Sequence, residues 1–145
     1  NGRYHGMEFK KFKDKYIVRL DKNEEIVDTL KRFCQEQKIT LGWVSGIGAV
    51  NRATVGLFDA SSKQYYAREL TGDMEISSLT GNISSMNGEV YLHLHICLSN
   101  IENKTYGGHL TAAYISATGE LVVGVIDGSV EREFNPQVGL NTFKF

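Results

Sequence analysis

Several things are scarce in this chain, and each scarcity excludes something. One proline, Pro136, in 145 residues leaves no room for a polyproline segment or a proline-rich linker. Two cysteines, Cys34 and Cys97, are too few for a disulfide framework, and they are not spaced as a metal-binding Cys-x-x-Cys pair. Both read as reduced, buried thiols. Charge of one sign is missing as well: 16 Lys and Arg stand against 17 Asp and Glu, a formal net charge of -1. Without an excess of cations a chain has little hold on a phosphate backbone, which counts against a strongly basic nucleic-acid binder. No apolar run approaches the roughly 20 residues that span a bilayer, and the stretch from Asn1 to Lys15 is polar and lysine-bearing, unlike a signal peptide. The expectation is a soluble, cytoplasmic protein without a membrane partner. On that expectation the glycosylation-like triplets at Asn82 and Asn103 carry no weight.

What is present points to one strand-rich domain over residues 1–145. A 16.2 kDa chain that is 41% hydrophobic and 23% charged is large enough to bury a core. Its fifteen glycines suit tight turns and close backbone approaches. One amphipathic helix is predicted between Asn23 and Gln37, where Ile26, Val27, Leu30, Phe33 and Cys34 recur at helical spacing. Asp21 or Asn23 is placed to cap it, and Glu24 and Glu25 suit its positive end. Nearly everything else reads as strands: Tyr16 to Leu20, Leu41 to Ser45, Ala53 to Phe58, Gln64 to Leu70, Met74 to Leu79, Val90 to Ser99, Gly108 to Ser116, Leu121 to Ile126 and Val130 to Phe134. Short polar links at Asp59 to Ser62 and Met86 to Glu89 look like hairpin turns, so most pairings should be antiparallel. The tail from Asn135 is expected to lie over the surface. The fold class is therefore α+β, an antiparallel-rich mixed sheet with one covering helix.

The segment from Val90 to Leu98 alternates cleanly: Leu92, Leu94, Ile96 and Leu98 share one face, and Tyr91, His93, His95 and Cys97 the other. Two imidazoles two positions apart on one strand face start about 6.5 Å apart and can converge on one ion. The polar stretch from Ser99 to Thr105 can turn the chain back near Glu102. His95 and His109 are equally far from that turn, so the return strand sets them about opposite each other. Three neutral imidazoles with an open position make a site for zinc or another divalent ion, where bound water is acidified. A lone strand histidine is more often structural or superficial, and His5 belongs to that class.

Other segments are weaker. Ser45-Gly46-Ile47-Gly48-Ala49-Val50 lacks the third glycine and the following helix of a phosphate loop, so it reads as a turn between strands. Lys10, Lys11, Lys13 and Lys15 form a small basic cluster interrupted by Asp14, which a solvated hairpin face explains. Glu75 shares a strand face with Ser77 and is a candidate catalytic acid/base, a metal ligand or an anchor for a histidine ring, with a solvated residue as the ordinary alternative. Arg19 and Arg132 are candidate anion holders, with ion-pair or surface roles as the ordinary alternative.

Taken together, Arg19-Leu20 before Glu24-Glu25-Ile26, Ser45 to Val50, Gly72 to Gly81, His93-Leu94-His95 and Gly107-Gly108-His109-Leu110 resemble the plants and prokaryotes conserved domain family (PPC, also written PCC), in its stand-alone prokaryotic form. Plant members typically read Gly-Arg-Phe-Glu-Ile-Leu-Ser-Leu-Ser-Gly where this chain has Gly72 to Gly81, so Glu75 matches and Asp73 replaces the arginine. The resemblance implies an antiparallel-rich domain with a covering helix that assembles as a homotrimer. It also implies a DNA-binding or regulatory role, although the Arg-Gly-Arg-Pro hook that plant members carry beside the domain does not occur in this sequence. The architecture is further similar to acetolactate decarboxylase, whose pattern of a His-x-His pair and a later histidine on zinc falls on His93, His95 and His109. Two functions follow: a trimeric regulatory protein with a three-histidine metal site and DNA as a partner, or a zinc-dependent lyase or hydrolase acting on a small carboxylated substrate, with Glu75 as acid/base.

Overall fold

A computed structural model describes residues 3, 4 and 6–145, with side chains from Gly6 onward. His5 lies outside the described residues. The elements run β1 (Arg3–Tyr4), β2 (Met7–Phe12), β3 (Lys15–Asp21), α1 (Ile26–Glu36), β4 (Gly42–Asp59), β5 (Gln64–Met86), β6 (Glu89–Ser99), β7 (Thr105–Val125), β8 (Glu131–Asn135) and β9 (Leu140–Lys144). They form one sheet in the order β1-β2-β3-β7-β4-β5-β8-β9, with β6 pairing both β5 and β7. Since β4 also pairs β5 and β7, the four long strands close a ring of hydrogen bonding on themselves. Among the described residues every ladder is antiparallel except a single parallel register pair, Ser85 with Glu131. The sheet is mixed and carries one helix among the described residues, as expected, but the balance is more strongly β than an α+β class implies. No described helix is long and apolar enough to cross a membrane.

The helix lies on the sheet through the predicted stripe: Ile26, Leu30, Phe33 and Cys34 are fully buried, with Val27 packed at the edge. Phe33 meets Phe9 and Tyr16 edge-on at ring distances of 5.0 and 5.1 Å, which ties the helix to the β2–β3 hairpin. Burial pushes the Cys34 thiol up to about 12, so this cysteine is an inert core residue. Cys97, expected to be buried, is exposed instead. It stands on the histidine face of β6, opposite Gly107, which offers no side chain to cover it.

The cap differs from the expected one. Glu25, not Asp21 or Asn23, occupies the N-cap: its carboxylate accepts from the Val27 and Asp28 amides at 2.8 and 2.7 Å. The same carboxylate accepts from the Ala113 amide of β7 at 2.9 Å, so one side chain both starts the helix and joins it to the sheet. Asn23 is occupied otherwise, in a left-handed turn (φ 77°) with its amide donating to the Ile115 carbonyl.

Three pairs of expected strands are continuous. Leu41 to Ser45 and Ala53 to Phe58 merge in β4, and the two segments on either side of Gly72 and of Ala117 merge in β5 and β7. Ser45 to Val50 is therefore strand with a bulge rather than a turn. Gly48 has φ +148°, and a Cβ there would lie 2.2 Å from the Thr118 carbonyl oxygen, so glycine lets β4 and β7 crowd together through the irregularity. Both predicted turns are present: Asp59 accepts from the Ser61 and Ser62 amides, and Asn87-Gly88 takes two positive φ angles. The tail pairs as β9 with β8.

Replacing Glu25 by Ala removes the cap and leaves the Ala113 amide without its acceptor, and is expected to cost about 2 kcal/mol. Glu25→Gln, which keeps an acceptor oxygen, should cost less. Urea unfolding measures both, and a loss under about 0.5 kcal/mol for Glu25→Ala would show that the cap and bridge contribute little.

Candidate metal centre

The histidine face of β6 is built by pairing on both sides. Asn82 and Thr80 of β5 stand opposite His93 and His95, and His95 stands opposite His109 of β7. Behind this face Leu94, Ile96 and Leu98 are buried, so the hydrophobic alternation fixes the direction of the imidazoles. His109 is also paired with Gly56 of β4, putting it where three strands meet. Gly108, beside it, admits the close approach: a Cβ there would lie 2.5 Å from the Gly56 carbonyl oxygen.

The structure brings His93, His95 and His109 together with one ligand nitrogen from each within 4.8 Å of the others. Ring centroids are separated by 5.1, 5.4 and 5.8 Å. Tetrahedral coordination at zinc–nitrogen lengths of about 2.0–2.1 Å needs nitrogens about 3.3 Å apart, a contraction that small side-chain rotations supply. Two of the rings are half-buried and His95 is exposed. Burial holds both His93 and His109 below the ordinary histidine range, helped at His93 by the Arg132 guanidinium and the other two imidazoles and at His109 by the His95 ring. Both are thus neutral near pH 7, the form that ligates a metal.

The imidazoles open into a cavity of about 590 Å³. Its walls include Leu57, Phe58, Tyr65 and Tyr91, and among the described residues no Asp or Glu lines it. Tyr65 meets His109 edge-on at 5.7 Å and bonds Thr111 through its hydroxyl at 3.1 Å. The ring lies over Gly56, where any Cβ would clash with it at 2.3 Å. Arg132 of β8 reaches the same cavity, and burial lowers its otherwise very high pKa without removing its charge.

The other expected residues lie elsewhere. Glu75 is exposed and pairs with Ser99, four positions beyond His95 on β6, about 13 Å away at the strand rise. It does not line the cavity. Arg19 is engaged by Asp21 at 2.8 Å and Glu8 at 3.8 Å on the surface. Lys10, Lys11, Lys13 and Lys15 are exposed around the β2–β3 turn, the hairpin face expected of them. Sequence reasoning missed Tyr65, Leu140 and Asn141 as cavity residues, because each is far from the histidines in the chain. Arg132 carried a readable signal: alternation sets it on the face opposite Glu131 and Glu133, away from the nearest carboxylates.

Residues 7–127 match the family described as Plants and Prokaryotes Conserved (PCC) domain. The chain is 42% identical to a candidate DNA-binding protein of known structure from Bacteroides thetaiotaomicron, covering 96% of this chain and 97% of that one with a TM-score of 0.94. It is 33% identical to a metal-containing protein from Archaeoglobus fulgidus, with 96% and 98% covered and a TM-score of 0.85. Among curated proteins it is 29% identical over 124 residues to the bifunctional protein GlmU of a Synechococcus strain, spanning 84% of this chain but 18% of that one. A Staphylococcus aureus protein similar to alpha-acetolactate decarboxylase shares the fold alone, at 14% identity over 83% of this chain and 56% of that one, with a TM-score of 0.58.

The lowered histidines give a signed expectation for the metal-free protein. Between the ordinary value of about 6.5 and the lower folded values, the unfolded chain binds more protons than the folded one. Their contribution to stability is therefore full above that ordinary value and lost as pH falls through the folded ones. Melting temperature should drop from pH 7.5 to pH 5.5, less steeply in the His93→Gln, His109→Gln double variant. Equal slopes in thermal melts of the two proteins would contradict this.

Proposed function

This chain belongs to the Plants and Prokaryotes Conserved (PCC) domain family, and from that premise we propose that it is a regulatory metal-binding protein, acting as a homotrimer. Its three histidines hold one divalent ion and leave a coordination position open to the cavity. The observation that carries this reading is the convergence of three imidazole nitrogens within 4.8 Å at the mouth of a cavity. Imidazole donors suit zinc and the other late first-row divalent ions. A bound ion of this kind supplies Lewis acidity and an acidified water. The chain's own part is to present three imidazoles from two paired strands beside the aromatic walls Tyr65 and Tyr91. The Archaeoglobus fulgidus relative, itself metal-containing, supports the assignment. Exposed apolar side chains on the β4–β5 pair, Leu57, Tyr65 and Tyr66 among them, give a homotrimer surface to bury. A lyase or hydrolase would have to manage without a carboxylate at the cavity, since Glu75 does not reach it, which favours binding over acid/base turnover.

Similarity to the Bacteroides thetaiotaomicron protein supports a second reading, in which the assembled protein contacts DNA. The exposed lysines of the β2–β3 hairpin, brought together by assembly, are the surface that fits this role.

Purified protein is expected to carry or take up about one divalent ion per chain. His93→Ala, His95→Ala and His109→Ala should each weaken binding at least about tenfold, read by metal analysis and competition with a chelator. Wild-type protein that neither holds nor takes up metal would contradict the proposal. For the second reading, duplex affinity should fall steeply with salt and weaken when Lys10, Lys11 and Lys13 are replaced by Ala. A filter-binding or anisotropy titration showing no binding at low salt would remove it.

A further inference from the structure

Beside the three imidazoles lies a cation with no counter-charge. Arg132 is 7% exposed, yet its guanidinium is held only by neutral acceptors. Nε donates to the Ser84 hydroxyl at 2.8 Å, Nη1 to the Asn141 carbonyl at 2.9 Å, and Nη2 to the Asn82 side-chain oxygen at 2.9 Å. The Tyr91 and Phe143 rings stack against it with centroids 4.7 and 4.4 Å away. No Asp or Glu pairs with it among the described residues. A buried arginine normally acquires a carboxylate, because an unpaired charge out of water is costly. Here the surroundings fix the side chain's orientation and leave its charge uncancelled.

A guanidinium has five N–H groups, and the three bonds to protein use one on each nitrogen. One N–H remains on each terminal nitrogen, so two charged donors are left over for a ligand. The position is near the metal site as well. Asn82, which holds Nη2, is the cross-strand partner of His93. Tyr91, which stacks on the guanidinium, is two positions from His93 on the same strand face, about 6.6 Å along β6. Arg132 and the three imidazoles face one cavity of about 590 Å³ that has no acidic lining residue among the described ones and is walled largely by aromatic and aliphatic side chains.

We infer that this cavity recognises a small organic carboxylic acid with an apolar body. Its carboxylate sits on Arg132 and a second oxygen, a hydroxyl or keto group, takes the open position at the three-histidine site. The inference rests on the metal reading above and adds the ligand class and the residue that selects it. Charge balance is its basis. A divalent ion on neutral imidazoles together with Arg132 leaves the cavity three positive charges with none negative, a field that favours an anion over a neutral molecule of the same shape. The aromatic and aliphatic walls favour an organic acid over an inorganic oxyanion.

The test is a calorimetric titration of zinc-loaded wild-type protein with 2-hydroxyisovalerate, its neutral amide and inorganic phosphate. The acid should bind at least about tenfold more tightly than the amide and than phosphate. In Arg132→Gln that preference for the acid over the amide should vanish, while metal content and amide affinity stay at the wild-type level. Equal affinity for acid and amide overturns the inference, as does phosphate binding as well as the acid, or an Arg132→Gln protein that still prefers the acid. The comparison on wild-type protein needs no variant, so it decides the matter even where Arg132→Gln fails to fold. Failure of the metal reading shows separately, as protein that does not load with zinc.

Discussion

The rest of the molecule depends on one register: His95 of β6 opposite His109 of β7, with His109 simultaneously opposite Gly56 of β4. A slip of one residue along β6 would turn the imidazoles into the core and Leu94 and Ile96 out to solvent. The hydrophobic face therefore enforces the position of the polar one. Closure of β4 to β7 on themselves reinforces this, because a slip between any two of these strands must be matched around the ring. The helix adds a further tie through Glu25, whose carboxylate spans the helix start and the Ala113 amide four residues beyond His109.

Charge distribution gives that scaffold its chemistry. Overall the chain is nearly neutral, but the neutrality is local on the surface and absent in the cavity. Arg19 and Lys15 meet carboxylates in exposed pairs that contribute little to stability. Arg132, His93, His95 and His109 line a cavity that no carboxylate lines among the described residues. Aromatic stacking and neutral hydrogen bonds hold the guanidinium in place without cancelling it. The same surroundings keep His93 and His109 deprotonated near neutral pH, so a metal competes with few protons for them.

Much of this was legible in the chain because the Val90 to Leu98 segment separates two chemically distinct faces residue by residue. Equal distance of His95 and His109 from Glu102 was enough to foresee their pairing, since both strands stay regular up to the turn. Legibility failed where glycine was involved. Gly48, Gly72 and their neighbours read as breaks, whereas the strands continue through them as bulges and kinks. Local pattern cannot distinguish a glycine that ends a strand from one that lets it crowd a neighbour. Glu25 reads as a partner of the helix dipole because glutamate is not among the preferred N-cap residues, and its second anchor, the Ala113 amide, is long-range. Cys97 escaped burial for a reason on another strand, the missing side chain of Gly107. The cavity's far wall, from Tyr65 to Asn141, depends on tertiary closure that no spacing rule contains.

X-ray absorption spectroscopy of zinc-loaded protein reads the proposed shell of three imidazoles around one ion and the position left open on it. Three nitrogen scatterers at about 2.0–2.1 Å with imidazole multiple scattering are expected, completed by a light oxygen ligand and no sulfur. A sulfur scatterer at about 2.3 Å, which would bring Cys97 into the shell, or an all-oxygen shell without imidazole, would contradict it.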